Sequence, residues 1–262
     1  MKILGRDLTT YAKNLRHTHR YVWYLIRCCW LFKHPWQLFY AYLTQTKPAS
    51  HVIELRSGLK IFLSQQPQDA VTVFLIFVRE DYGKVPPHST VIDIGANIGV
   101  FSLYAIHQQA AKVYAYEPNS EAYQCLQRNI IENHLEGRII PQPLAVCHLE
   151  AGVVKFPKQS SIFNAILTDK STQDFDWAPT TTLDAIMRSV GAAQLVKLDC
   201  EGAEYDILFN ASAQTLRQIE AFKMECHAGR AHELKSFLQS YGFVCNYFRA
   251  DNLLTSCVWF VR

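Results

Sequence analysis

The chain has 262 residues, 49% hydrophobic and 19% charged, with 11 Gly and 10 Pro. That balance excludes disordered, collagen-like and low-complexity chains, and the length suits one large domain with an extension, or two small ones. Of the net charge of +3, residues 1–50 hold +7, from eight Lys or Arg against the single acid Asp7, which leaves −4 for the rest. An acidic body argues against nucleic acid as a partner, whereas the basic first fifth suits phosphate, anionic lipid or an acidic partner.

Composition therefore separates a basic, aromatic-rich helical extension, 1–50, from a domain over 51–262. On a helical wheel Lys13, Arg16, Arg20, Arg27 and His34 share one arc, opposite Val22, Leu25, Cys29, Phe32 and Trp36. Asp7 or Thr9 is placed to cap the start, and Pro35 to end the helix or open a second one over 36–43. Such a stripe most often packs on its own domain. It also suits peripheral membrane contact through residues 8–43, or dimerisation. The uncharged run over 21–26 is far too short to span a bilayer. The eight cysteines show no CxxC spacing, so neither a metal nor a disulfide framework is expected, and reduced thiols point to the cytoplasm.

After residue 51 a hairpin is expected around Ser57-Gly58, then an apolar stretch over 71–78 that reads as either helix or strand. A regular alternation follows: strand 90–94, helix 99–109, strand 112–116, helix 119–133 and strand 139–145. An irregular stretch covers 150–179. Beyond it come helix 182–189, strand 195–199, helix 202–210, strand 221–226, helix 231–240 and a closing antiparallel pair, 243–248 with 253–261. This is the pattern of an α/β fold: a mostly parallel, Rossmann-like sheet with helices on both faces. Ligands of such sheets bind beyond the carboxyl ends of the strands.

The chemistry-bearing residues fall at those ends. Val91-Ile92-Asp93-Ile94-Gly95-Ala96-Asn97-Ile98-Gly99 is a glycine-lined turn leading into a helix. A dinucleotide fingerprint would carry Gly where Asn97 stands. Asp93 disfavours a pyrophosphate and suits a cationic ligand with an amino group, such as a sulfonium amino acid. Glu117 ends the second strand 22 residues after Gly95, where an acid can hold ribose hydroxyls. Asp199, Glu201 and Glu204 follow the strand over 195–199. For Glu204 a favourable place at a helix start is account enough. His227 ends the next strand beside Asp199 and Glu201, where it can take a proton from a hydroxyl; the same trio also invites a divalent metal, a weaker reading without a spaced ligand motif.

The glycine turn, Tyr116-Glu117-Pro118, Lys197-Leu198-Asp199-Cys200-Glu201-Gly202-Ala203-Glu204, Asn129 to Asn133 and Glu225-Cys226-His227 together resemble the FkbM family of S-adenosylmethionine-dependent methyltransferases, over about residues 85 to 245. The resemblance implies a class I methyltransferase fold of seven strands, the seventh inserted antiparallel. It also implies S-adenosyl-L-methionine as cofactor and O-methylation of a hydroxyl on a sugar, glycan or small natural product. By position it makes Asp93, Gly95, Ala96, Asn97, Gly99, Glu117 and Asp199 cofactor contacts, and Asp199, Glu201 and His227 catalytic residues. It lays Leu144-Ala145-Val146, and so Ala145, along the adenine.

Two other readings compete. A non-catalytic, membrane-associated scaffold that binds a nucleotide or cofactor is disfavoured by the intact acids Asp93, Glu117 and Asp199. A nicotinamide oxidoreductase is disfavoured by Asn97 and Asp93. The acceptor follows no readable motif; Phe156, Phe163, Phe175 and Trp177 in the irregular stretch suit either stacking on a ring or covering a sheet edge.

Overall fold

The computed structural model describes residues 2–3, 6–7, 18–157, 175–227, 229–252 and 255–262. They form two compact units, one of residues 1–81 with 128–134, the other of 82–127 with 135–262. The first boundary falls at 81 rather than 50, because the hairpin and helix after residue 51 stay with the N-terminal helices.

The first unit opens with a short antiparallel pair, β1 (Lys2–Ile3) and β2 (Arg6–Asp7). Helix α1 (Thr18–Leu31) follows, and Pro35 opens rather than breaks the next helix, α2 (Pro35–Thr44), since its missing N–H costs nothing at a first helical position. Thr9, Lys13 and Arg16 lie outside the described residues. Of the basic stripe, Arg27 is turned inward, donating to Glu80 and to the Phe77 carbonyl. Strands β3 (Val52–Glu54) and β4 (Lys60–Phe62) make the expected hairpin. The ambiguous apolar run is helical: α3 (Gln68–Val73) continues as a π-helical stretch, Phe74–Arg79, ending at Glu80 with φ 57°. Asn129 pairs through both amide atoms with the backbone of Phe62, and Asn133 likewise with Lys60. Two carboxamides four residues apart thus finish the edge of β4 as a neighbouring strand would.

The second unit holds the sheet. Its elements are β5 (Thr90–Ile94), α4 (Val100–His107), β6 (Lys112–Tyr116), α5 (Ser120–Ile131), β7 (Ile139–Gln142) and β8 (Ala145–Val146). Then come β9 (Val153–Pro157), β10 (Phe175–Thr181), α6 (Leu183–Val190), β11 (Leu195–Leu198), α7 (Glu204–Phe209), α8 (Ala213–Arg217), β12 (Ala221–Cys226), α9 (Ala231–Ser240), β13 (Val244–Ala250) and β14 (Ser256–Val261). The last residues of α5, from Arg128, belong to the first unit.

The seven-stranded order is β13-β14-β12-β11-β5-β6-β7. All neighbours are parallel except β14, which runs antiparallel to both β12 and β13. This is the class I methyltransferase fold. Ile92, Ile94, Val196, Leu198, Phe222 and Met224 face one core with residues of α6 to α9. Asp93 points the other way, and Ser102 of α4 reaches it there, so helices cover both faces. Chain order reverses between β5 and β11, which puts the ligand crevice at their carboxyl ends.

The stretch over 150–179 is not irregular throughout. Strands β9 and β10 pair antiparallel over five residues, and β8 pairs parallel with β10, forming a separate three-stranded sheet. The expected strand over 139–145 therefore ends at Gln142, and Ala145 belongs to that second sheet. Phe175 and Trp177 on β10 stay largely exposed, Phe156 is half-buried, and Phe163 lies outside the described residues.

Candidate functional site

After Thr90 the β5 run to Ile94 is apolar except for Asp93, as expected of a strand covered on both faces. Three left-handed residues then make the turn: Gly95 (φ 74°), Asn97 (φ 51°) and Gly99 (φ 86°). The Gly95 and Ala96 amides both donate to the Tyr116 carbonyl at 3.0 Å, tying the turn to the end of β6. A Cβ on Gly95 would meet the Asp199 carbonyl oxygen at 2.0 Å, so the ends of β5 and β11 can close up only with glycine there. Beside Gly99 the space is taken by Leu126.

Glu117 is buried, and its two oxygens accept from the Asn97 amide at 2.7 Å and the Asn119 amide at 2.8 Å. Burial pushes its carboxyl up to about 7, against the pull of those two amides. Asp93 is fully buried. Its Oδ2 accepts from Ser102 at 2.7 Å, and Oδ1 lies 3.1 Å from Lys197 Nζ, close as an ion pair though not aligned as a hydrogen bond. The register places Lys197 directly opposite Asp93. Lys197 also donates to the Gly95 carbonyl at 2.8 Å and lies 3.9 Å from Asp199 Oδ2. Burial works against the Lys197 charge, but Asp93 and Asp199 outweigh it and hold its pKa above the ordinary value.

After β11 the chain turns through Glu201 (φ 55°) and Gly202 (φ 107°). Asp199, Glu201 and His227, brought together as the sequence suggested, have ligand atoms within 4.8 Å of one another, a spacing that one divalent cation could also span. His227 Nε2 lies 3.5 Å from Glu201 Oε2, and Nδ1 lies 3.1 Å from Glu204 Oε1. Glu204 is therefore more than a favourable charge at a helix start. It is wholly buried, its Oε1 also accepts from the Cys200 amide at 3.0 Å, and its Oε2 has no hydrogen-bond partner among the described residues. Burial disfavours a charged His227, but the hydrogen bond and charge of Glu204, with Asp199 and Glu201, lift it to about 9. Burial and then Asp199 push Glu201 up to about 7 and Glu225 up to about 8.

Tyr82, which carried no signal in the sequence, donates from its buried hydroxyl to Asp199 Oδ2 at 2.8 Å. Tyr205 holds the chain beyond β12, donating to the His227 carbonyl at 2.6 Å. Ala145 sits on β8, three residues past the end of β7.

The donor set fits a cationic ligand. Asp199, Glu201, Glu204 and Glu225 outnumber the cations Lys197 and His227, and Lys197 already serves Asp93. Burial is the first cause of the raised pKa values of Glu201 and Glu225, and the charge of Asp199 adds to it. A ligand with an ammonium and a sulfonium would relieve that surplus of negative charge, and the Gly95 to Gly99 turn with Glu117 gives the neighbouring polar surface.

A family model described as the methyltransferase FkbM domain matches residues 93–245. The AMB antimetabolite synthetase AmbE of Pseudomonas aeruginosa is 26% identical over 234 residues, covering 68% of this chain and 11% of that protein. The chain thus spans about a tenth of the length of that curated relative. Methyltransferase sdnD of Sordaria araneosa is 41% identical over 54 residues, covering 20% of this chain and 21% of that protein. Among solved structures, an uncharacterized protein from Listeria monocytogenes aligns with a TM-score of 0.46 at 12% identity, over 70% of this chain and 65% of that one.

Proposed function

Because the chain belongs to the FkbM methyltransferase family, we propose that it transfers a methyl group from S-adenosylmethionine to a hydroxyl oxygen of a sugar, glycan or small natural product. The observation that carries this reading is His227, braced on Nδ1 by buried Glu204 and presenting Nε2 at a rim rich in carboxylates. A proton acceptor beside surplus negative charge is what methylation of a hydroxyl by a cationic donor requires.

When bound, S-adenosylmethionine supplies an electrophilic methyl group on a sulfonium. The Gly95 to Gly99 turn, Glu117 and Asp199 are the groups that would hold it, with Asp93 acting from beneath through Lys197 and the Gly95 carbonyl. His227 sheds its extra proton where positive charge offsets Asp199 and Glu201, and its neutral Nε2 then accepts the proton of the acceptor hydroxyl. Glu204 keeps the ring oriented and stabilises the imidazolium that results. Asp199, fixed by Tyr82, orients the reacting groups, and such alignment supplies much of the rate of an in-line transfer.

The test begins with calorimetric titration of S-adenosylhomocysteine into the purified chain. A panel of hydroxylated acceptors and tritiated S-adenosylmethionine follow, with His227→Ala as control. Binding, with label transferred to an acceptor oxygen and lost in His227→Ala, is expected. Failure of the folded chain to bind would overturn the enzyme reading, binding without transfer to any acceptor would favour a cofactor-binding scaffold, and label on nitrogen would overturn the assignment of the acceptor atom.

A further inference from the structure

Helices α1 and α2 carry two faces of opposite character. On the inward side Cys28, Phe32, Leu38, Ala41 and Tyr42 are buried. Tyr42 stacks on Phe74 with ring centroids 3.6 Å apart, Tyr24 meets the same ring edge-on at 5.6 Å, and Phe32 meets Phe77 at 6.1 Å. These contacts meet the core's demand for aromatics. The outward side nevertheless carries Val22, Ile26 and Trp30 at four-residue spacing with Trp23 between, and Trp36 and Tyr40 at the same spacing on α2. Trp30 is 72% exposed, Trp36 65%, Tyr40 61% and Trp23 52%. Four of the chain's five tryptophans are exposed, and three of these four share this one face. A face that only met solvent would be polar.

The charges say what the face fits. Neither helix contains an acid, and none occurs between Asp7 and Glu54. Arg20 and His34 are exposed around the aromatics, and Lys33, also exposed, is paired with Glu54. Trp and Tyr join an apolar body to a polar tip, which suits the boundary between headgroups and acyl chains, and an acid-free, base-flanked aromatic face complements a negative surface with an apolar interior. Among the described residues no helix is long and apolar enough to cross a membrane, so the contact lies in the plane.

We propose that the outward face of α1 and α2 docks on an anionic lipid bilayer. Trp23, Trp30, Trp36 and Tyr40 enter the headgroup boundary, while Arg20 and His34 meet lipid phosphates. The docking face is thus the aromatic one, not the stripe that includes Arg27, whose charge is spent on Glu80. The proposal does not depend on the methyl-transfer reading.

Flotation of the full chain with phosphatidylcholine vesicles, with and without about 30% phosphatidylserine, tests it, together with quenching of tryptophan emission by brominated lipid. Flotation with the anionic vesicles and quenching are expected. The combined variant Trp23→Gln, Trp30→Gln, Trp36→Gln should partition at least about tenfold more weakly at an unchanged thermal midpoint. Absence of flotation overturns the proposal. So does a dimer in sedimentation velocity that the same variant dissociates, an outcome that gives the face to a second copy of this chain.

Discussion

The Tyr82 hydroxyl donates to Asp199 Oδ2 at 2.8 Å, joining two residues 117 positions apart at the mouth of the crevice. Burial, followed by the Asp199 charge, holds the Tyr82 pKa well above its ordinary value, so the hydroxyl stays protonated and remains a donor. The same Oδ2 lies 3.9 Å from Lys197 Nζ, so the hydroxyl and the ammonium meet one carboxylate oxygen. A hydrogen bond to a charged group contributes about 1.5–3 kcal/mol. Tyr82→Phe should therefore lower kcat/KM by about tenfold or more and lower the thermal midpoint by about 2–4 °C for each kcal/mol lost. A drop in stability with unchanged kcat/KM would make Tyr82 merely structural.

Asp93 and Lys197 invite a different experiment. Read in the sequence alone, Asp93 touches the cofactor, and its loss would chiefly weaken binding. In the structure it is wholly buried, between Ser102 and Lys197. Removing one member of such a pair leaves the other charged and buried, at a cost of about 3–5 kcal/mol. Asp93→Ala should lower the thermal midpoint markedly, whether or not S-adenosylhomocysteine is present. If the midpoint held and only cofactor affinity fell, Asp93 would be a direct contact after all.

Strand-dominated features were legible in the sequence because parallel strands covered on both faces read as short continuous apolar runs; β5, β6 and β12 fall where the pattern put them. The trio Asp199, Glu201 and His227 was legible for the same reason, since strand ends define the rim. Tyr82 was not, because it precedes β5 in a segment without periodicity and meets Asp199 only through tertiary contact. Glu204 was misread because an acid in a first helical turn looks ordinary until its burial against His227 is seen. The three-stranded sheet of β8, β9 and β10 was missed because its longest strand alternates exposed and covered residues through Pro179, which lacks the ladder's N–H donor.

Protonation of the site should govern the stability of the ligand-free protein. Glu117 and Glu201 at about 7, Glu225 at about 8 and His227 at about 9 all lie above their unfolded values of 4.5 for Glu and 6.5 for His. Each binds its proton more tightly when folded. The associated stability is fully present below the unfolded pKa and is lost as pH rises through the folded one. Thermal midpoints taken at constant ionic strength should therefore fall between about pH 6 and about pH 9, and fall less in Glu201→Gln. A flat or rising profile in this window would contradict the electrostatic description of the site.

The same surplus of negative charge separates cofactor from product. S-adenosylmethionine carries a sulfonium charge, whereas S-adenosylhomocysteine carries a neutral sulfide in its place. A positive charge beside Asp199, Glu201 and Glu225 lowers the pKa values of the two glutamates and of His227, so protons leave as it binds. At about pH 7.5, between the values for Glu201 and His227, this release should be easily measured. Calorimetric titrations in buffers of different ionisation enthalpy should show more protons released by S-adenosylmethionine than by S-adenosylhomocysteine, with the difference reduced in Glu225→Gln. Equal release by both ligands would mean that the sulfonium does not meet these carboxylates, and His227 would then lack the change in charge that frees its Nε2 to accept a proton.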